Sequence, residues 1–160
     1  MKSLIISLLV ISSLFALPEE FEKERYKIGE KVFEEKCMQC HVKSIEMQSL
    51  LKNFLQDNNK TLKLVAPTGN QISFRLKQQI GSKDDIEFHL EETADFLKEY
   101  LNDPDKSNTI CLEGVVKHFD TMPSMKGKIT EEEIEDVGFF LYFLEGFNGV
   151  NKYYNKEDEF

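Results

Sequence analysis

Two thiols and an imidazole fall within about one helical turn at Cys37-Met38-Gln39-Cys40-His41, and nothing else in the chain narrows its possible folds as much. The spacing C-x-x-C-H is that of covalent haem c attachment. Two thiols add across the two vinyl groups on one edge of a porphyrin, and the next side chain reaches the iron from below the ring. Imidazole nitrogen is a good iron ligand. Three other readings compete: a dithiol redox pair, half of a zinc site, and a purely structural pair. Zinc is short of ligands, because the chain holds only three Cys and three His in all.

The start of the chain points to an exported protein. Met1-Lys2-Ser3 precedes an apolar run from Leu4 to Phe15, broken by Ser7, Ser12 and Ser13, and Ala16 follows. This is the pattern of a signal peptide over residues 1–16, with an uncleaved anchor as the alternative. The run is shorter than the roughly 20 apolar residues a membrane span needs. A periplasmic location suits covalent haem attachment, which bacteria carry out on the outer side of the membrane. Residues 17–150 then make one domain and 151–160 an acidic tail. The formal charge of −9 argues against nucleic acid as a partner and favours a protein with a basic docking face. Cys111, in the apolar setting Ile110-Cys111-Leu112, reads as a buried thiol, with an intermolecular bridge as the alternative.

Hydrophobic spacing predicts helices almost throughout. The first runs from Pro18 to Lys36, with Phe21, Ile28, Val32 and Phe33 as its apolar face and Gly29 among them. The last opens on the capping box Thr130-Glu131-Glu132-Glu133 and runs to Phe147, before Gly146, Asn148 and Gly149 stop it. Ile134, Val137, Leu141 and Leu144 make one face, and Phe139, Phe140, Tyr142 and Phe143 make it apolar nearly all round. Between them, helices are expected over Ser44–Gln56, broken by Asp57-Asn58-Asn59, from a cap at Thr68 to Gly81, and over Asp84–Asn102 before Pro104. A short turn of helix is expected near Cys111–His118. Only Leu62–Val65 alternates like a strand, so the class is all-α.

In this order the chain resembles a class I monohaem cytochrome c. The likeness runs from Gly29 and Phe33 through Cys37-Met38-Gln39-Cys40-His41, a late Asp103-Pro104 turn and Met122-Pro123 to the aromatic C-terminal helix. The resemblance implies a cytochrome c fold whose terminal helices cross at Gly29, with Phe33 against Tyr142 or Phe143. It implies one covalent haem c on Cys37 and Cys40, with His41 as proximal and Met122 as distal ligand. Met125, His118 and His89 are the competing ligands. Pro123 would stiffen the loop that presents the sulfur. Two departures stand out. His41 and Met122 are 81 residues apart, and no Gly or Pro follows closely after the haem His. Pro67 is therefore the nearest proline whose carbonyl could hold the His41 ring N–H, and residues 44–66 are an insertion. Arg75 is read as solvated surface, or as a propionate partner.

The expected function is that of a periplasmic one-electron carrier and not of an enzyme, cycling Fe(II)/Fe(III) between redox partner proteins. The alternatives are a haem enzyme or a gas or peroxide sensor with an open distal site, and a haem subunit of a larger redox complex. An exposed apolar patch on residues 44–66 would favour the last.

Overall fold

Caps and breakers written into the sequence set where the helices of this chain begin and end. The computed structural model describes residues 19–144. The expected leader over 1–16, the stop at Gly146, Asn148 and Gly149, and the tail over 151–160 lie outside the described residues. Six α-helices follow in order: α1 (Glu19–Lys36), α2 (Met47–Leu55), α3 (Gly69–Gln79), α4 (Ile86–Asn102), α5 (Glu113–Val116) and α6 (Glu131–Phe143). Thr68 caps α3 and Thr130 caps α6, each in a reciprocal capping box with Gln71 and Glu133. Asp85 caps α4 through the amides of Glu87 and Phe88. The chain is all-α, with no strand among the described residues. Leu62–Val65 is turn and irregular backbone, because Lys63 takes φ +49°, outside the extended range a strand needs.

The core forms where α1 crosses α6. Gly29 lies at the crossing, and a Cβ there would stand 1.9 Å from the Asp136 carbonyl oxygen and 2.8 Å from the Phe140 Cβ. The helices meet so closely only because the side chain is absent. The aromatic partner differs from the one expected. Phe33 packs on Phe140, with ring centroids 5.4 Å apart, and Tyr26 joins the same ring at 5.1 Å. Tyr142 turns to α4 instead, and Phe143 pairs with Phe139. The buried stripe of α1 is Tyr26, Gly29, Val32 and Phe33, while Phe21 and Ile28 of the expected face are 53 % and 44 % exposed. The need to turn Gly29 toward α6 rolls Phe21 and Ile28 off the interface. Lys36 donates to Glu133 at 2.7 Å and Arg25 to Asp136 at 3.3 Å, so ion pairs hold both sides of the crossing.

Helices α3 and α4 pack on the other sides of α6 through Leu76 and Leu97, both in the main core. The Ser73 hydroxyl donates to the Leu144 carbonyl at 2.8 Å and ties α3 to the end of α6. A second, smaller core gathers Leu50, Phe54 and Phe119, with Ile45, Leu62, Leu64 and Val115 around it. Most of it belongs to the stretch expected to be an insertion, and Phe119 and Val115 join it from outside that stretch. A polar staple closes that stretch. The Asn53 side chain donates to Asn59 Oδ1 and accepts the Leu62 amide, both at 2.9 Å. The Asn59 side chain donates to the Leu64 carbonyl at 2.8 Å. Asn58 and Asn59 adopt φ +50° and +59°, conformations that Asn tolerates better than most residues, so the expected break after α2 is there.

Candidate functional site

The end of α1 delivers the two thiols and the imidazole into a tight turn. The amides of Cys37 and Met38 donate to the Phe33 carbonyl at 2.9 and 3.1 Å, and those of Cys40 and His41 donate to the Cys37 carbonyl at 3.1 and 2.9 Å. Cys37 is half-buried against the main core and Cys40 is exposed. Both are free thiols, as is Cys111. The His41 ring lies 6.5 Å from the ring of Phe33, so one residue of the crossing also borders the site.

Beyond His41 the chain runs alongside the segment that follows Pro67. The Gly69 amide donates to the Val42 carbonyl at 2.8 Å and the Asn70 amide to the Lys43 carbonyl at 3.0 Å. Asn70 Nδ2 reaches the Ile45 carbonyl at 2.8 Å. Lys43 also donates to Glu30 and Glu34 of α1, at 2.8 and 2.9 Å. A Cβ on Gly69 would come within 2.6 Å of the Lys43 carbonyl oxygen, so the approach needs glycine. Held this way, His41 Nδ1 lies 2.7 Å from the Pro67 carbonyl oxygen. This is the contact expected from the sequence. A carbonyl only accepts, so Nδ1 carries the proton and the Nε2 of the neutral ring keeps its lone pair. Burial pushes the His41 pKa down, against the opposing pull of the Pro67 bond, and keeps the ring in its neutral form. A ring oriented by such a carbonyl, with Nε2 bare, is the usual state of a metal-ligating histidine.

Burial pushes the Cys37 pKa up to about 11, despite the lowering influence of the Lys36 charge. Catalytic dithiols depend on a depressed pKa that exposes a thiolate, and the shift at Cys37 runs in the other direction.

Met122 is half-buried in a loop anchored on both sides. Upstream, Phe119 is buried in the second core, and Lys106 Nζ donates to its carbonyl. Downstream, the Ser124 hydroxyl donates to the Asn102 carbonyl at 2.6 Å and the Met125 amide to the Leu101 carbonyl at 2.8 Å. Met125 is thus drawn to the end of α4. His89 is buried in α4 and shares a 3.0 Å hydrogen bond with the Tyr142 hydroxyl, which commits its Nδ1. His118 packs on Phe54 at 5.6 Å, and its buried Nε2 has no partner. Arg75 is not plain solvated surface, because its Nε donates to the Ile110 carbonyl at 2.7 Å. Cys111 is half-buried, and burial raises its thiol pKa.

A cavity of about 190 Å³ opens between α2, α3 and the start of α5. Cys37, Cys40, His41 and Met122 are not among its lining residues. Sequence reasoning missed Gly69 and Asn70, which set the distance between His41 and Pro67. Their signal is a glycine and an amide placed directly after a capping threonine, where either would otherwise be a weak way to begin a helix. No helix among the described residues is long and apolar enough to cross a membrane.

An uncharacterized protein of Aquifex aeolicus (strain VF5) is 27 % identical to this chain over 143 residues, covering 89 % of this chain and 87 % of its own length. No family model matches the chain, and no solved structure matches it.

Proposed function

We propose that the chain is a periplasmic electron-transfer protein of the class I cytochrome c kind, carrying one haem c on Cys37 and Cys40 with His41 and Met122 as axial ligands. The observation that carries this reading is the 2.7 Å approach of His41 Nδ1 to the Pro67 carbonyl across 26 residues of chain. It fixes the imidazole next to two free thiols with the ligating nitrogen unprotonated. The donor set fits the cofactor: two unpaired thiols at the attachment spacing, a neutral imidazole, and a half-buried thioether in a tethered loop. Bound haem would supply one-electron chemistry at iron, and a thioether ligand favours the ferrous state relative to a second imidazole.

The chain's own residues do the positioning. The Pro67 carbonyl orients His41, and Gly69 and Asn70 hold the two loops in register. Lys106, Ser124 and Met125 limit the travel of Met122. The crossing of α1 and α6 anchors the helix whose end carries the attachment turn. The signal-peptide pattern over 1–16 supports the periplasmic location, and the net charge of −9 suits a redox partner with a basic docking face. Leu51, Leu55 and Val65 of the insertion are 49, 77 and 64 % exposed, which favours a second reading with the same chemistry: a haem subunit of a larger redox complex.

Visible spectra of the oxidised and reduced protein test the proposal on wild type and Met122→Ala. The expected result is a haem c spectrum with the weak far-red iron–sulfur band, lost in the variant. A band that survives in Met122→Ala removes Met122 and turns attention to Met125. A spectrum without the band turns it to His118. Absence of covalent haem overturns the proposal.

A further inference from the structure

Three buried side-chain polar atoms have no hydrogen-bond partner among the described residues: His89 Nε2, Thr93 Oγ1 and His118 Nε2. Burial without a partner costs free energy, so each calls for an explanation. His89 and Thr93 stand four residues apart on α4 and are 2 and 0 % exposed. His89 already shares its other ring nitrogen with the Tyr142 hydroxyl of α6, which commits it to the contact between those helices. His118 is different. It precedes Met122 by four residues, a length of chain that reaches at most about 14 Å. Its amide donates to the Val115 carbonyl at 3.2 Å, in the turn that closes α5. Its ring lies on Phe54, with centroids 5.6 Å apart and planes 33° from parallel, and Phe119 packs on the same Phe54 ring at 5.9 Å. The imidazole is thus packed in place with Nε2 out of contact with water, beside the loop that carries Met122.

A haem carries two propionate carboxylates on the edge opposite its vinyl groups, and carboxylates shielded from water need donors. With Cys37 and Cys40 holding the vinyl edge, and Cys37 packed on the main core, the propionate edge points away from that core. The Met122 loop leads from that core's far side, since it begins at Phe119 in the second core. Two cations of this part of the molecule are already engaged. Lys106 Nζ donates to the Phe119 carbonyl, and Arg75, which lines one cavity with Phe54, donates from Nε to the Ile110 carbonyl at 2.7 Å. Lys117 is exposed. We propose that His118 Nε2 binds a haem propionate, donating its proton to the carboxylate. The assignment rests on the carrier reading above, and it gives the partnerless nitrogen the strong acceptor it lacks. A donor on the carboxylate disperses negative charge, and less negative charge near the iron favours Fe(II) over Fe(III). His118 therefore raises the reduction potential as well as seating the ring.

The test uses the haem-loaded protein at one pH and one ionic strength, as wild type, His118→Phe and His118→Gln. Phe keeps an aromatic ring on Phe54 but has no donor, whereas the Gln amide nitrogen extends about as far as Nε2 and donates. Resonance Raman spectra read the propionate bending band, and redox titration reads the potential. His118→Phe should shift the bending band and lower the potential while keeping the far-red iron–sulfur band. His118→Gln should stay close to wild type in all three. His118→Asn, whose amide falls short of the Nε2 position, replaces the Phe variant if that one does not mature, and should show the same shift and the same lower potential. An unchanged bending band and potential in the loss variant overturn the proposal and leave the carrier reading standing. A wild type without the far-red band, whose axial spectrum changes in His118→Phe, also overturns it, because His118 would then be on the iron. No covalent haem in the wild type overturns the carrier reading and this assignment with it.

Discussion

The crossing of α1 and α6 and residues 44–66 around α2, the segment expected from the resemblance to be an insertion, are both folded, and they are held by different means. The crossing is dry and aromatic. Phe33, Phe140 and Tyr26 fill it, Gly29 lets the backbones touch, and charged pairs sit only at its margins. The insertion has a core of a few apolar residues and takes its shape from two asparagine side chains that satisfy backbone groups across a turn. A helix pair can be set by shape alone, because burial is non-directional and the sum of many contacts is large. A short excursion with little to bury has to be specified by directional bonds. The crossing therefore tolerates changes in its polar margin but not in its volume, and the insertion should show the reverse.

The sharpest way to break this contrast is Gly29→Ala. The methyl would meet the Asp136 carbonyl oxygen at 1.9 Å, a backbone atom that cannot swing aside, so the helices must separate. A loss near the upper end of the overpacking range, about 3 kcal/mol, is expected in denaturant melts. Gly114→Ala, where nothing lies within 4 Å, should leave the midpoint almost unmoved. Next in size is Asn53→Ala, which strips the Leu62 amide and the Asn59 side chain of their partner. The expected cost is about 2 kcal/mol, felt locally. Hydrogen exchange should speed up over residues 47–64 and stay slow in α1 and α6. Fast exchange in α1 as well would mean that the two regions unfold as one unit.

The smallest effect belongs to the margin of the crossing. Lys36, followed by the Thr130 amide, holds the Glu133 carboxyl below its ordinary value of 4.5. The folded state therefore binds this proton less readily than the unfolded chain does. The stabilisation is complete above pH 4.5 and is lost as pH falls through the lower, folded value. Glu133→Gln should flatten that part of the acid-unfolding curve while shifting stability at pH 7 by less than about 1 kcal/mol. An unchanged acid slope would assign the titration to other carboxylates.

What could be read from the sequence divides along the same line. The caps at Thr68 and Thr130 were legible because they precede apolar spacing at a fixed offset, whereas the Asp85 cap was not singled out. The His41–Pro67 contact was legible because a ligating imidazole needs an acceptor for its ring N–H, and Pro67 is the nearest proline after the motif. The roll of α1 was not. Phe21 and Ile28 are as apolar as Val32 and Phe33, and only the partner's surface decides that Tyr26 is buried in their place. Phe140 could not be chosen over Tyr142 or Phe143 for a related reason, since all lie on a helix apolar on nearly every side. Tyr142 is drawn away by His89, 53 residues upstream on the helix that Asp85 caps. The asparagine staple has no periodicity to read. Asn58 and Asn59 signal a turn, but nothing local names Leu62 as the partner of Asn53 or Leu64 as that of Asn59.

The paired strands of chain at Val42–Lys43 and Gly69–Asn70 also act as a neck. Everything between Ile45 and Ala66 leaves and returns through it, and the Asn70 side chain closes it on the Ile45 carbonyl. Because closure entropy grows only slowly with the length of an excursion, the neck separates the spacing of His41 and Pro67 from the size of whatever lies beyond. Changes of length at this point need not move the imidazole, whereas Leu50 and Phe54 have to remain to bury Phe119. The excursion is in effect a lobe whose outer surface can change as long as its packing on Phe119 is kept.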